Sequence, residues 1–216
     1  MNIKTQLKNY STKGFTLIEL LISISIIALL TGVVVFNQSD FADKLALTNL
    51  TSEISLQIRE AQTYGISVRE FAPGTNNFNV AYGVSFNLGN AGSSNTSFYS
   101  FADLLPQNGY FDTPTLCQPG PSSECLSRYN LVRGNTLTDT CVIQVSGDTT
   151  CRAGIGRIDI VFVRPNPTAK ITLFNNAGSV VNSSYPGFRG VKLEFTSPQG
   201  KKQDIIVYGT GQISIQ

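Results

Sequence analysis

The apolar positions of this chain fall into three regimes. Residues 15–36 are apolar on every side, interrupted by Glu19 and a few serine, threonine and glycine residues. Such a run is roughly 33 Å long as a helix, enough to cross a hydrocarbon core. Further on, Phe41, Leu45, Leu47, Leu50, Ile54, Ile58 and Ala61 recur mostly at three- and four-residue steps. Asp43, Lys44, Glu53, Arg59 and Glu60 fall between them. That pattern predicts a helix with one apolar and one wet face, its C-terminal half buried in a core. No proline occurs before Pro73. The two regimes therefore predict one helix from about Thr16 to about Tyr64, reaching as far as Arg69. Gly32, Val33, Val34 and Val35 are its weak point in helix propensity.

Beyond Pro73 the pattern shortens to strands rich in aromatic and β-branched residues. They are predicted at 80–86, 97–101, 129–133, 156–163, 170–174, 190–196, 204–209 and 212–216. Turn sequences such as Pro-Asn-Pro, Asn-Asn-Ala-Gly and Ser-Pro-Gln-Gly separate the later ones. Short connections favour antiparallel pairing. The expected fold class is α+β, a long N-terminal helix packed on an antiparallel β-sheet domain. Residues 87–97 and 112–128 read as surface insertions. The expected division is 1–14, 15–36, 37–70 and 71–216.

Charge orients the chain. Charged residues are only 14% and the formal net charge is +2. Lys4, Lys8 and Lys13 precede the apolar run with no acid beside them; without them the chain has 13 basic against 14 acidic residues. The positive-inside rule keeps those lysines cytoplasmic and exports the C-terminal part. The run is longer than the apolar region of a secretory signal, and "VVVFNQSDF" offers no A-x-A cleavage site, so the segment is expected to be retained. The chain has no histidine, which removes the Ser-His-Asp and Cys-His catalytic arrangements and histidine metal sites. Asp103, Asp112, Asp139, Asp148 and Asp159 are scattered and read as solvated loop or capping acids. No enzyme activity, cofactor or metal site is predicted.

The stretch "KGFTLIEL" ahead of the run is specific. It resembles the processing site of type IV prepilins and pseudopilins. The resemblance implies that a membrane-embedded prepilin peptidase/N-methyltransferase cuts between Gly14 and Phe15. Phe15 then becomes the methylated N-terminus, and residues 1–14 are the cytoplasmic leader. Glu19, otherwise a costly charge at membrane depth, would pair with a neighbouring subunit's terminal amine and register it during assembly. Pairing with its own amine, or snorkelling to the membrane edge, is the bland alternative. The implied partners are other pilin or pseudopilin subunits, the inner-membrane assembly platform and membrane lipid. The implied location is the bacterial inner membrane and then a pilus or pseudopilus filament. Many pilins carry proline where Phe36 stands here. The C-terminal "KKQDIIVYGTGQISIQ" weakly resembles the H-type (GspH/FimT-like) minor pseudopilins, favouring a minor subunit.

Cys117, Cys125, Cys141 and Cys151 all lie in the exported part. They allow three pairings, of which Cys117–Cys125 with Cys141–Cys151 closes the shortest loops. Zinc is disfavoured by the lack of histidine and of any C-x-x-C pair. Arg189, Lys192, Lys201 and Lys202 cluster near the C-terminus. The bland reading is a solvated strand edge. Some minor pilins bind DNA for uptake through such residues, so phosphate contacts are the alternative function.

Overall fold

A computed structural model describes residues 14–71, 73–89, 94–113, 117–120, 122–151, 154–181 and 188–216. Residues 1–13, most of the expected leader 1–14, lie outside the described residues. Among the described residues, one helix, α1 (Leu17–Ile66), is followed by ten strands. These are β1 (Ala81–Asn87), β2 (Ser97–Asp103), β3 (Cys125–Asn130), β4 (Thr136–Gln144) and β5 (Thr149–Cys151), then β6 (Ile155–Phe162), β7 (Ala169–Asn175), β8 (Phe188–Thr196), β9 (Lys202–Tyr208) and β10 (Ile213–Ile215). The α+β class is as expected, but the strands form two five-stranded sheets rather than one. Sheet A runs β3-β2-β1-β6-β7 and sheet B runs β10-β9-β8-β4-β5. Neighbours pair antiparallel throughout.

Two expectations need correction. No strand is expected between residues 133 and 156, yet β4 and β5 lie there, and "TLTDTCVIQ" carries the β-branched residues of a strand. β3 starts at Cys125, inside the supposed insertion 112–128, because its pairing with β2 runs from Ser97↔Asn130 to Phe101↔Cys125. Likewise Ser97, the last residue of the other supposed insertion, already belongs to β2. The structure pairs Cys117 with Cys125 and Cys141 with Cys151. The second bridge joins directly opposed residues of β4 and β5.

The chain divides into two compact units, residues 1–41 and 42–216. In the second, Leu47, Leu50, Ile54, Ile58 and Ala61 of α1 are buried. They pack with Val84, Phe86, Ile158, Ile160 and Phe162 of sheet A and with Val191, Leu193, Phe195, Ile205 and Val207 of sheet B. The stripe starts later than the periodicity suggested: Leu45 is 48% exposed, and Phe41 is exposed too. Gly65 shows how closely α1 approaches β6, since a Cβ there would stand 2.8 Å from that of Phe162. Gln62 binds the helix to two loops, donating to the carbonyls of Pro167 and Gly211 at 3.0 Å each. Every core cluster among the described residues lies beyond residue 46. Residues 42–216 therefore carry their own core and fold as a unit.

The centre of sheet A is buried on both faces, with β1 and β6 inaccessible along their whole length. Its outer face lies under the segment that follows β2. Phe111 of that segment is fully buried with Ala81, Tyr99, Phe101, Cys125 and Val161.

Candidate processing and assembly site

Helix α1 begins with Thr16, whose Oγ1 accepts the backbone N–H of Glu19 at 3.3 Å. That is an N-cap, and Thr-Leu-Ile-Glu has the S/T-x-x-E spacing of a capping box. Residues 14–16 ahead of it are not helical. Phe15 is 78% exposed, and no heavy atom lies within 4 Å of where a Gly14 Cβ would be. The Gly14–Phe15 bond is thus open to an enzyme.

Past the cap, the helix hides none of its large apolar side chains as far as Val35. Leu17, Ile18, Leu21, Ile24, Leu29, Val34 and the others between them are exposed. Its few polar groups are satisfied within the helix. Ser23 donates to the Glu19 carbonyl at 2.7 Å, Ser25 to Leu21 at 2.8 Å and Thr31 to Ile27 at 2.7 Å. That is what a hydrocarbon environment demands of hydroxyls. By length and composition this helix can cross a membrane. Glu19 is exposed, and no other charge follows it before Asp40.

Residues 10–35 match the family model of the prokaryotic N-terminal methylation motif. The match supports the type IV prepilin and pseudopilin family, whose members are structural subunits. It also supports processing by a prepilin peptidase, association with other pilin subunits and anchoring in the inner membrane. Comparison with curated proteins and with solved structures finds no match.

The C-terminal basic residues do not form one positive patch. Lys192 Nζ pairs with Asp204 at 2.8 Å, and Lys202 Nζ pairs with Glu194 at 2.7 Å. Glu194 raises the Lys202 ammonium above the usual lysine range by hydrogen bond and charge. Asp139 stands opposite Glu194 in the β4–β8 register, so acids interleave with the lysines on that face. Arg189 and Lys201 are exposed. Arg189 lies near the start of β8 and Lys201 in the turn beyond its other end, bonded to Ser197, roughly 26 Å away at about 3.3 Å per residue.

The scattered acids also need correction. Asp103 and Asp159 are buried, and Glu124 with them. Asp103 accepts the N–H groups of Asn108 at 3.2 Å and Gly109 at 2.8 Å. Glu124 accepts those of Leu104 at 3.1 Å and Asp112 at 2.8 Å. Asp159 accepts that of Phe111 at 2.8 Å and pairs with Arg157 at 3.0 Å. Three carboxylates thus hold down the segment over sheet A through its backbone. Burial raises all three above the usual carboxylate range, outweighing these bonds, and takes Asp159 to about 6. Burial lowers the Arg157 guanidinium, and Asp159 partly offsets this. Asp159 has one detectable sequence signal, a lone acid in the apolar strand "RIDIVF".

Proposed function

We propose that this chain is a non-enzymatic subunit of a type IV pilus or secretion pseudopilus, in the role of a minor subunit. It is cut between Gly14 and Phe15, methylated on Phe15, held in the inner membrane by residues 15–36 and assembled through its N-terminal helix and Glu19. One observation carries the reading: an accessible Gly14–Phe15 bond stands directly before a helix whose large apolar side chains, from Leu17 to Val35, have no cover among the described residues. A free aqueous helix of that kind is unstable, whereas lipid or a bundle of like helices would cover it.

Intact-mass measurement of protein from a host with the peptidase tests this. The expected species begins at methylated Phe15 and lacks residues 1–14. A dominant species that keeps the leader would refute the processing step. Gly14→Leu should leave the leader attached.

DNA uptake is the weaker reading. The pairing of Lys192 and Lys202 with acids leaves two separated cations where a phosphate-tracking patch needs a cluster.

A further inference from the structure

Two turns meet beside the point where α1 enters the exported domain. Val132 and Arg133, in the β3–β4 turn, line a groove with Ala42, Leu45 and Asn49 of α1. Ser197, in the β8–β9 turn, donates its hydroxyl to Asp43. The turns also touch each other, since a Gly134 Cβ would stand 3.0 Å from Pro198 Cγ. Gln62, bound to Pro167 and Gly211, marks the opposite end of the domain. From Asp43 to Gln62 the helix rises about 28 Å.

The chain itself says what the first end faces. Only residues 37–41 separate Ala42 from the end of the proposed span, at most about 22 Å of chain. Lipid headgroups extend roughly 5–7 Å beyond the hydrocarbon. The two turns are thus tethered within reach of a bilayer surface, and the Gln62 end lies about 28 Å farther along the helix.

The side chains at this end suit that surface. Lys44, Arg133 and Lys201 are exposed and make no ion pair among the described residues. Against them stand Asp40, which is exposed, and Asp43, whose carboxylate takes the Ser197 hydroxyl. Glu53 is about 15 Å farther up the helix. Val132 is 55% exposed, so an apolar side chain and a cation stand together at one tip, as they do in segments that lie at a lipid interface. Arg133 is also strained. Its φ is 59° and that of Gly134 is 72°, and the Asn135 N–H donates to the Val132 carbonyl at 3.3 Å. Two left-handed residues in a turn favour Asn-Gly, so arginine is a costly choice at the first. Such strain clusters where a side chain is put to use.

We propose that this end of the domain docks on anionic lipid headgroups while the chain is held in the membrane, with Arg133 and Lys201 on their phosphates and Val132 against the interface. The inference rests on the anchoring proposed above. Docking would hold the domain in one orientation before assembly.

The test places the full chain in lipid nanodiscs that carry a spin-labelled headgroup. One set is phosphatidylcholine; the other is equal parts phosphatidylcholine and phosphatidylglycerol. In the anionic discs the amide signals of Val132, Arg133, Gln199 and Lys201 should broaden, and those of residues 209–211 should not. Broadening should be weaker in the neutral discs and at about 0.5 M salt. Arg133→Asn suits the turn, so it should raise the urea midpoint of residues 42–216 while weakening the contact about fivefold. Arg133→Lys should keep the contact. Lys201→Gln, at an exposed turn, should fold and weaken it about fivefold. Equal broadening in neutral and anionic discs, broadening centred on residues 209–211, or full contact in both Arg133→Asn and Lys201→Gln overturns the proposal. A chain that enters neither disc refutes the anchor instead, and residues 42–216 then decide. Anionic vesicles at low salt should broaden the same four signals and neutral vesicles should not; no difference between them overturns the docking as well.

Discussion

Asp159 shows what one buried residue does to the whole domain's response to pH. Its folded value of about 6 stands above the ordinary value of 3.8, because burial outweighs Arg157 and the Phe111 N–H. Between those two values the folded state holds more protons than the unfolded state. By linkage, stability therefore rises as pH falls through about 6 and is lost as pH rises again. Asp103 and Glu124, raised by the same cause, act in the same direction. For residues 42–216, the urea midpoint should be higher at about pH 5.5 than at about pH 7.5, with Asp159 contributing on the order of 1 kcal/mol. Asp159→Asn should remove that share. Its deficit against the parent should thus widen on acidification, where an ordinary salt bridge would show the reverse. A midpoint that falls from pH 7.5 to 5.5 in the parent, or a deficit that narrows, would sink this account. Tyr82→Phe should leave the midpoint unchanged or raise it, since it deletes a buried hydroxyl without a partner among the described residues.

At the scale of elements, helix α1 carries two jobs in sequence: an uncovered apolar segment and then a core stripe. Ile58 is fully buried between the sheets, so Ile58→Ala should cost about 2–5 kcal/mol in the unfolding free energy of residues 42–216. Leu45→Ala, at 48% exposure, should cost less than about 1 kcal/mol. Gly65→Ala should cost about 1–3 kcal/mol, because the new methyl meets the backbone of β6. Equal losses at Ile58 and Leu45 in urea unfolding would contradict the placement of the stripe. Much of this was legible in the residues. The helix ends fell within two residues of expectation, because proline is absent and the apolar spacing is helical. Strands such as β6 and β9 declared themselves by runs of Ile, Val and Phe. β4 and β5 did not, since their threonines, acid and cysteines look like loop until Cys141 is seen opposite Cys151. The buried acids are hidden from the sequence for a related reason. A carboxylate's usual place is solvent, and only the fold shows that the backbone of residues 104–112 needs acceptors there. Division into two sheets depends on pairing between strands distant in sequence, β1 with β6 and β4 with β8, which no local pattern encodes.

For the whole molecule the decisive contrast is between the charge at one end and the charges at the other. Glu19 is the only ionisable side chain between Phe15 and Asp40, on a helix otherwise suited to hydrocarbon. Unpaired at the centre of a bilayer, an acid costs about 2.5–3.5 kcal/mol on insertion scales. Cleavage after Gly14 would create a positive amine four residues away along the chain. In a filament of parallel helices, a shift along the axis would bring that amine to a neighbour's carboxylate. On the proposed reading the pair would fix the register between subunits, as a buried polar group does in a helix seam. Glu19→Ala should therefore insert into the membrane and be processed at Gly14 as well as the parent, yet fail to enter filaments. Sheared-filament fractions against membrane fractions, probed for this chain, would show it retained in the membrane. Changing Arg189, Lys192, Lys201 and Lys202 together to neutral residues should leave filament entry intact. The two ion pairs it removes are partly exposed and contribute little. Should Glu19→Ala enter filaments at the parental level while the quadruple change blocks entry, assembly would be governed by the exported face, and the proposed role of Glu19 would fall.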